Sequence, residues 1–252
     1  MNMRSKLAFW TYMLLAALVS GKSLAAEKLH IFTENYPPYN MSLSGQPFAH
    51  KEEEIAGLCT EMVKALLKRT PLEYSLKLRD LATSMNRSKN KPNHAIYCVS
   101  KTDDRTPYFE WIGPLAEIKW TLFAKPGSNL KLTSLDQAKK YRIGGYKGDV
   151  MSNYLIERGF NVSTIANDSL NPRRLALDQI DLWVTDGLSG PYVASEVEDM
   201  TNLVPALVFK TTPMYMAINK ETSPEVLKAL QAGFKAITDS GEAKSITDVY
   251  MQ

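Results

Sequence analysis

The chain has 252 residues, of which 44% are hydrophobic and 23% charged, a composition ordinary for a soluble globular protein. This length allows one large domain or two lobes. A formal net charge of +3, with no basic stripe, argues against a nucleic-acid or anionic-membrane partner.

The N-terminus has the residue order of a secretory signal peptide. Arg4 and Lys6 precede an apolar run at 7–19, and Ser23-Leu24-Ala25 offers a cleavable Ser-x-Ala. The apolar run is too short to span a bilayer comfortably, which takes roughly 20 residues. We predict a signal peptide over residues 1–25 and a mature periplasmic protein without membrane insertion. The alternative is an uncleaved anchor helix.

The small positive charge belongs to this leader. It contains Arg4, Lys6 and Lys22 and no acidic residue, so the remaining chain has 27 basic and 27 acidic side chains. A neutral mature chain gives no reason to expect nucleic acid as a partner.

The first unit after the leader has the order strand, helix, strand, connection, strand. Tyr36-Pro37-Pro38-Tyr39-Asn40 interrupts it as a rigid loop, because two successive prolines fit neither a helix interior nor a central strand. Right-handed crossovers place the strands in one parallel sheet. The predicted elements are a strand at Lys28–Thr33, a helix at Ala56–Lys68, a strand at Leu72–Leu78, a polar connection at Asn86–Lys91 and a strand at Ala95–Val99.

Two cysteines occur in this unit, Cys59 and Cys98. In an oxidising compartment they could form a disulfide, which would stabilise by roughly 4 kcal/mol in the chain-entropy model. The alternative is two buried free thiols, and both readings stay open.

A second unit begins near Trp120 and again alternates strands and helices. Two such α/β units indicate a bilobal body with a ligand cleft at the carboxyl ends of the strands. The predicted elements are a strand at Trp120–Ala124, a short helix opened by a Ser134/Gln137 capping box, a strand at Tyr141–Gly145, a helix at Val150–Arg158 stopped by Gly159, a helix at Pro172–Leu177, a strand at Asp181–Thr185, a helix at Gly190–Glu196, strands at Leu203–Lys210 and Met214–Asn219 separated by Thr-Thr-Pro, and a C-terminal helix capped by Ser223.

Side chains from the first unit point to this cleft. Tyr36 and Tyr39 follow the first strand and offer flat faces for stacking on a small ligand. Arg105 follows the last strand of the unit and can grip a carboxylate through two parallel hydrogen bonds. The alternatives are ordinary loop packing for the tyrosines and a surface pairing of Arg105 with Asp103 or Asp104.

The second unit contributes a turn and a strand end. Gly148-Asp149-Val150 connects a predicted strand to a predicted helix, and free N–H groups at a helix start attract anions. The alternative is a plain N-cap, with Asp149 bonding its own helix. Asp186 ends another strand, where a carboxylate could receive an ammonium group. Its alternative is a solvated loop acid.

The order of these segments resembles the periplasmic solute-binding proteins of polar amino-acid ABC transporters, family 3. The resemblance covers roughly Leu29 to Tyr250 and is carried by YPPYN, IAGLCTEMVKAL, SKTDDR, FEWIGPL, YKGDVMSNYL and DLWVTD. It implies a bilobal, periplasmic-binding-protein-like fold of type II. The implied parts are lobe 1 at 27–116 and 214–252, lobe 2 at 117–213, and hinge strands near Ile118–Leu122 and Phe209–Tyr215.

The resemblance also implies roles for individual residues. Tyr36 would stack on the ligand, Ser100 would contact it, Arg105 would clamp its carboxylate, amides of Gly148, Asp149 and Val150 would hold the same carboxylate, and Asp186 would bind the α-ammonium. Asp149 departs from the usual Ser or Thr, and at ~4 Å and an effective dielectric of ~20 its repulsion of a carboxylate is about 4 kcal/mol. It therefore either caps its helix or serves a ligand that is not a simple α-amino acid. The second aromatic wall is also missing, and Leu81 is the nearest residue.

The sequence thus predicts a monomeric, non-catalytic protein that closes on a small polar, amino-acid-like solute, without cofactor or metal. It would deliver the solute to an ABC permease or report it to a membrane sensor. One alternative is a periplasmic lyase similar to cyclohexadienyl dehydratases. Another is a sensor-associated module without a small ligand. The candidate acids or bases of a lyase are Glu34, Asp149 and Asp186, whereas His30, His50 and His94 are poorly placed.

Overall fold

Strands and helices alternate around one large sheet in the computed structural model, which describes residues 28–197 and 200–250. The predicted signal peptide lies outside these residues. The strands within them are β1 (Leu29–Thr33), β2 (Met41–Ser42), β3 (Ile55–Ala56), β4 (Tyr74–Leu78), β5 (His94–Ser100), β6 (Phe109–Ala124), β7 (Ile143–Tyr146), β8 (Val162–Ile165), β9 (Leu182–Asp186) and β10 (Val204–Asn219). The helices are α1 (Leu58–Leu67), α2 (Leu81–Asn90), α3 (Val150–Glu157), α4 (Asn171–Ala176), α5 (Ser189–Ser195), α6 (Pro224–Asp239) and α7 (Glu242–Tyr250).

The large sheet has the strand order β4-β1-β5-β10-β6-β9-β7-β8. On one side, β1 runs parallel to β4 and β5, and on the other, β7 runs parallel to β8 and β9. The parallel arrangement predicted for the first unit is therefore confirmed. We call these two triplets, with the helices packed on them, the first and second halves of the sheet.

Two long antiparallel strands, β6 and β10, join the halves. The Met214–Ile218 part of β10 pairs with β5, and the Trp120–Phe123 part of β6 pairs with β9. The prediction that Thr-Thr-Pro separates two strands was wrong, because β10 continues through it. Pro213 pairs with Glu117 of β6, while pairing with β5 begins only at the next residue. Since β5 does not pair with Pro213, the missing N–H of this proline removes no hydrogen bond between β10 and β5.

Helix α1 packs on α6 and α7 against the first half of the sheet. Its buried face contains the apolar residues that predicted a helix, among them Met62 and Leu66. Gly233 of α6 allows a close approach, since a Cβ there would lie 2.5 Å from the carbonyl oxygen of Leu66. Ser223 caps α6 by accepting from the amide of Val226, which confirms the predicted start.

Two local predictions were wrong. The stretch predicted as a polar connection belongs largely to helix α2, whose start is capped by Asp80 accepting from the Thr83 amide at 2.8 Å. The buried face of α2 includes Ser84 and Ser88, so no apolar periodicity reveals it. The Ser134/Gln137 capping box is also absent, because the Gln137 side chain bonds Thr133 instead. Leu135–Lys140 forms a 3₁₀ helix there.

Within residues 28–197 and 200–250, every helix is too short or too polar to cross a membrane.

Candidate functional site

A small, partly open space lies where the carboxyl ends of β1 and β5 meet the turn before α3. We call it the inner cavity. It has a volume of about 20 Å³, enough for about one water molecule. Its lining residues are Glu34, Tyr36, Leu81, Cys98, Val99, Ser100, Arg105, Ile118, Asp149, Val150 and Met214.

The structure brings together only part of the predicted binding set. The predicted residues on the cavity lining are Tyr36, Ser100, Arg105, Asp149 and Val150. The predicted residues outside this lining are Tyr39, Gly148 and Asp186. Gly148 instead allows the exposed turn before α3, with a φ of 81°.

Arg105 is half-buried, and a turn after β5 directs its side chain back to the strand end. Its Nη1 donates to the carbonyl oxygen of Ser100 at 3.1 Å. Among the described residues it forms no ion pair, and Asp103 and Asp104 are exposed without joining it. The guanidinium thus keeps donors for an acidic group inside the cavity.

Glu34 directly follows β1 and is only 8% exposed. Its Oε2 is buried with no hydrogen-bond partner among the residues described. Burial, reinforced by the negative charge of Asp149, raises the pKa of Glu34 to about 8, although the Tyr146 hydroxyl and Arg105 act in the opposite direction. At neutral pH this side chain therefore carries a proton.

Asp149 does two things at once. Its Oδ2 accepts from the amides of Met151 at 2.8 Å and Ser152 at 3.3 Å, which caps α3, and the residue also lines the inner cavity. Burial raises the pKa of Asp149, and the two cap bonds and Arg105 only partly offset this. Oδ1 takes part in neither of these two cap bonds.

Tyr36 and Tyr39 stack on each other, with ring centroids 5.9 Å apart. Tyr36 faces the cavity, and its hydroxyl accepts from the Asp186 amide at 3.3 Å. Burial, reinforced by the charge of Asp186, raises the pKa of both hydroxyls, so both stay protonated. A loop from the first half thus touches a strand end of the second half.

Both oxygens of the Asp186 carboxylate accept hydrogen bonds from the protein. It accepts from the Tyr39 hydroxyl at 2.8 Å and from the amides of Lys119 at 2.7 Å, Leu188 at 2.8 Å and Ser189 at 3.0 Å. The residue is 1% exposed. Three of these bonds go to Oδ2 and one to Oδ1, so only Oδ1 keeps acceptor capacity for an incoming ammonium.

The tyrosine loop is held on the N-terminus of α1. The amides of Leu58 and Cys59 donate to the carbonyl oxygens of Pro38 and Tyr39 at 3.0 Å and 2.8 Å. The free N–H groups of this helix start are therefore satisfied by the loop. This pairing holds the backbone of the loop at Pro38 and Tyr39.

Gly57 makes this contact possible, because it has a φ of 115° and a Cβ there would lie 2.5 Å from the Tyr39 carbonyl oxygen. We expect Gly57→Ala to lower the free energy of unfolding by about 2 kcal/mol through backbone strain. Urea unfolding would measure it, with Gly127→Ala as control, since Gly127 has a φ of 73° but nothing within 4 Å. Equal losses in the two variants would contradict the close-contact argument.

A disulfide joins Cys59 to Cys98, which realises one of the two alternatives left open by the sequence. Cys98 lies on the cavity lining and has a φ of 60°. The register of β5 against β10 shifts here, so that Cys98 is the extra residue opposite Tyr215 and Met216. The crosslink therefore ties α1 to the bulge that presents Val99 to the cavity.

A second, larger space adjoins the inner cavity. This outer pocket, of about 310 Å³, is lined by residues that include Tyr36, Tyr146 and Asp168. Asp168 accepts from Asn171 Nδ2 at 2.8 Å and Trp183 Nε1 at 3.1 Å. Burial raises the pKa of Asp168 to about 7, despite these two bonds. The surroundings of the cavity are thus acidic.

The raised pKa of Glu34 makes stability depend on pH. Its carboxyl ionises near 4.5 in the unfolded chain and near 8 in the folded one, so between these values the folded state binds more protons. Stability from this group is complete below pH 4.5 and falls as the pH rises towards 8. We expect Glu34→Gln to gain about 2 kcal/mol over wild type between pH 6 and pH 8.

Urea unfolding of solute-free protein at the two pH values would measure this gain. Glu110→Gln, an exposed site on β6, is the control and should follow wild type. Parallel profiles for wild type and Glu34→Gln would show that the Glu34 carboxyl titrates normally.

From the sequence, Glu34 is a candidate only as an acid or base of a lyase. The other lining residues that the sequence did not mark as ligand-binding are Leu81, Cys98, Val99, Ile118 and Met214. Glu34 follows β1 as Tyr36 does, so position after a strand end was the available signal. Met214 lies opposite Ser100 across the β5–β10 pair, with the Ser100 Oγ 3.2 Å from its Sδ. No local pattern marks such a residue.

Comparisons with known proteins identify solved structures that share this fold. No protein family model matches the sequence, and no curated protein matches it. Solved structures do match. A histidine kinase sensor domain with similarity to periplasmic binding proteins has a TM-score of 0.77 at 19% identity, with 89% of this chain and 96% of that chain covered.

Two amino-acid-binding proteins are similar as well. The ancestral amino acid-binding protein AncCDT-1, a precursor of cyclohexadienyl dehydratase, has a TM-score of 0.73 at 17% identity, covering 89% of this chain and 96% of its own. The arginine-, lysine-, histidine-binding protein ArtJ from Geobacillus stearothermophilus has a TM-score of 0.70 at 17% identity, covering 89% and 95%. This chain therefore has the fold of the periplasmic substrate-binding proteins.

Proposed function

We propose that this chain binds a small polar, amino-acid-like solute in the inner cavity by closure of two lobes. The observation that supports it best is the charge pattern of that cavity. Arg105, beside the first half of the sheet, and Asp149, at the start of a helix of the second half, line the same cavity. Opposite charges from two separate bodies suit a zwitterion that both must contact.

The proposed lobes are 27–116 with 214–252, and 117–213. Strands β6 and β10 run through both halves, which supports hinges near Ile118–Leu122 and Phe209–Tyr215. Rotation about two adjacent strands would open the inner cavity while leaving each parallel triplet intact.

We propose a monomeric periplasmic protein, exported by the signal peptide, that passes its solute to an ABC transporter or reports it to a membrane sensor. The similar structures support this range of partners. One of them is a sensor domain of a histidine kinase, and another binds arginine, lysine and histidine.

Thermal unfolding with a panel of the twenty amino acids, small organic acids and cationic metabolites tests the binding function. A solute that binds only the folded state, at one hundred times its Kd, adds about 2.7 kcal/mol and raises the Tm by several degrees. No shift with any compound would contradict solute binding and favour the alternative of a sensor-associated module without a small ligand.

One observation favours an enzyme as a second candidate. Glu34, with its pKa raised to about 8, holds a proton at neutral pH inside the cavity and could act as a general acid. A similar structure is that of a precursor of cyclohexadienyl dehydratase. Turnover of prephenate or arogenate by the purified protein would favour a lyase, whereas recovery of the bound solute unchanged would favour binding alone.

A further inference from the structure

The two halves of the sheet contact each other directly beside the inner cavity. The cavity between them has a volume of about 20 Å³, so an amino-acid-sized solute can enter only if the halves separate. The contacts that hold the halves together therefore control access to the site. One of these contacts is the hydrogen bond from the Tyr39 hydroxyl to the Asp186 carboxylate.

The bond between Tyr39 and Asp186 is short, buried and charge-assisted. The two oxygens lie 2.8 Å apart, and the residues are 2% and 1% exposed. Two longer bonds with neutral acceptors also join the halves, from the Asp186 amide to the Tyr36 hydroxyl at 3.3 Å and from the Tyr192 hydroxyl to the Met41 sulfur at 3.5 Å. A bond to an ionised acceptor is about twice as strong as a neutral one. The carboxylate bond is therefore the strongest of these three.

Tyr39 is fixed within the first half. Its carbonyl oxygen accepts from the amide of Cys59 at the start of α1, at 2.8 Å. Its ring stacks on that of Tyr36, with centroids 5.9 Å apart. The Tyr39 hydroxyl therefore follows α1 when the first half moves.

Asp186 is fixed within the second half. Its carboxylate accepts from the amides of Leu188 and Ser189 at the start of α5, and from the amide of Lys119 in β6. Asp186 also pairs with Trp120 where β9 lies along β6. Each partner of the bond thus moves with its own half, and rotation about the proposed hinges would break the bond.

We propose that the Tyr39 hydroxyl is a latch, which holds the two halves closed by its bond to Asp186 without any contact from a solute. The inference rests on the proposed function and adds its regulation, because the latch must open before a solute can reach the inner cavity. A hydrogen bond to a charged group changes an equilibrium constant by about 10- to 100-fold. The latch therefore makes the open form, which accepts the solute, the minor one.

Distances between spin labels on the two halves of solute-free protein test the latch. Gln46 and Leu170 are exposed, and each is next to residues that line the outer pocket from opposite halves, so cysteines there would report opening. Only the introduced thiols would react with the label, because Cys59 and Cys98 are joined in the disulfide. We expect one short distance in the otherwise unchanged chain.

Tyr39→Phe keeps the buried ring and removes only the hydroxyl. Asp186 would still accept from three amides, so the second half keeps its local structure. We expect a longer label distance to appear, with the ratio of long to short distances raised at least about tenfold.

Tyr74→Phe is the matched control. The Tyr74 hydroxyl also donates to a carboxylate, that of Glu52 at 3.0 Å, but both residues belong to the first half. Loss of this bond should leave the label distances unchanged.

Association rates give a second readout that a merely structural role would not move. Stopped-flow measurements would use L-arginine or L-glutamine as the probe, whichever raises the Tm more. Since only the open form accepts a solute, Tyr39→Phe should associate at least about fivefold faster than the unchanged chain. Tyr74→Phe should associate at the same rate as the unchanged chain. If neither amino acid binds, the label distances alone decide.

The outcomes separate the latch from the proposed function. Equal label distances in Tyr39→Phe and the unchanged chain, or equal association rates, would overturn the latch, whereas the thermal panel measures solute binding separately. If Tyr39→Phe fails to fold, the unchanged chain decides. One short distance in solute-free protein supports the latch, and a mainly long distance overturns it.

Discussion

Replacement of Arg105 by alanine is expected to weaken solute binding by about 10- to 100-fold while leaving the fold intact. Charge-assisted hydrogen bonds contribute about 1.5–3 kcal/mol, and Arg105 is the guanidinium on the cavity lining. The protein itself uses one of its donors, toward Ser100, so the others remain for the ligand acid group. Calorimetry with the solute that gives the largest thermal shift would measure the loss.

Two further variants make the Arg105 experiment specific. Arg105→Lys keeps the charge but not the planar fork, so it should recover only part of the affinity. Arg158→Ala removes an exposed arginine at the end of α3 and should change nothing. Unchanged affinity in Arg105→Ala, with normal unfolding, would remove Arg105 from the binding site.

Loss of the disulfide is expected to lower the free energy of unfolding by about 4 kcal/mol, because the bridge closes a loop between residues 39 apart. The double variant Cys59→Ala with Cys98→Ala should also bind solute more weakly. Cys98 lies on the cavity lining and at the bulge that positions Val99.

Urea unfolding of the oxidised protein and the double variant would measure the stability loss. A reductant should destabilise wild type towards the value of the double variant and leave the double variant unchanged. A difference below about 1 kcal/mol would mean that the unfolded chain gains little freedom when the bridge is absent.

Much of the fold is predictable because buried strands of an α/β protein are short apolar runs. The predicted strand Ala95–Val99 lies inside β5, and the predicted helix at Val150–Arg158 differs from α3 by one residue. Apolar periodicity does not predict helix α2, because serines form much of its buried face. The same reasoning does not predict that β10 is continuous. Pro213 can lie within this strand because β5 does not pair with it, and such a missing pairing is not visible in the sequence.

The candidate site is less predictable, because its chemistry depends on pairs that are distant in sequence. Tyr36 and Arg105 follow strand ends, which marks them as candidates. The hydrogen bond between Tyr39 and Asp186 joins residues 147 positions apart. It occupies the Asp186 carboxylate, and no local sequence pattern predicts it. The raised pKa of Glu34 likewise comes from burial and, after it, from the charge of Asp149, and both arise only through folding.

We expect the inner cavity to hold the solute between Arg105 of the first half and Asp149 of the second half. A crystal structure of the protein with the solute that stabilises it most would test this directly. The expected result is density in the inner cavity, with the acidic group of the solute on Arg105 and its ammonium on Asp149. A solute seated in the outer pocket, or with its ammonium on Asp186 in place of the Tyr39 hydroxyl, would contradict it.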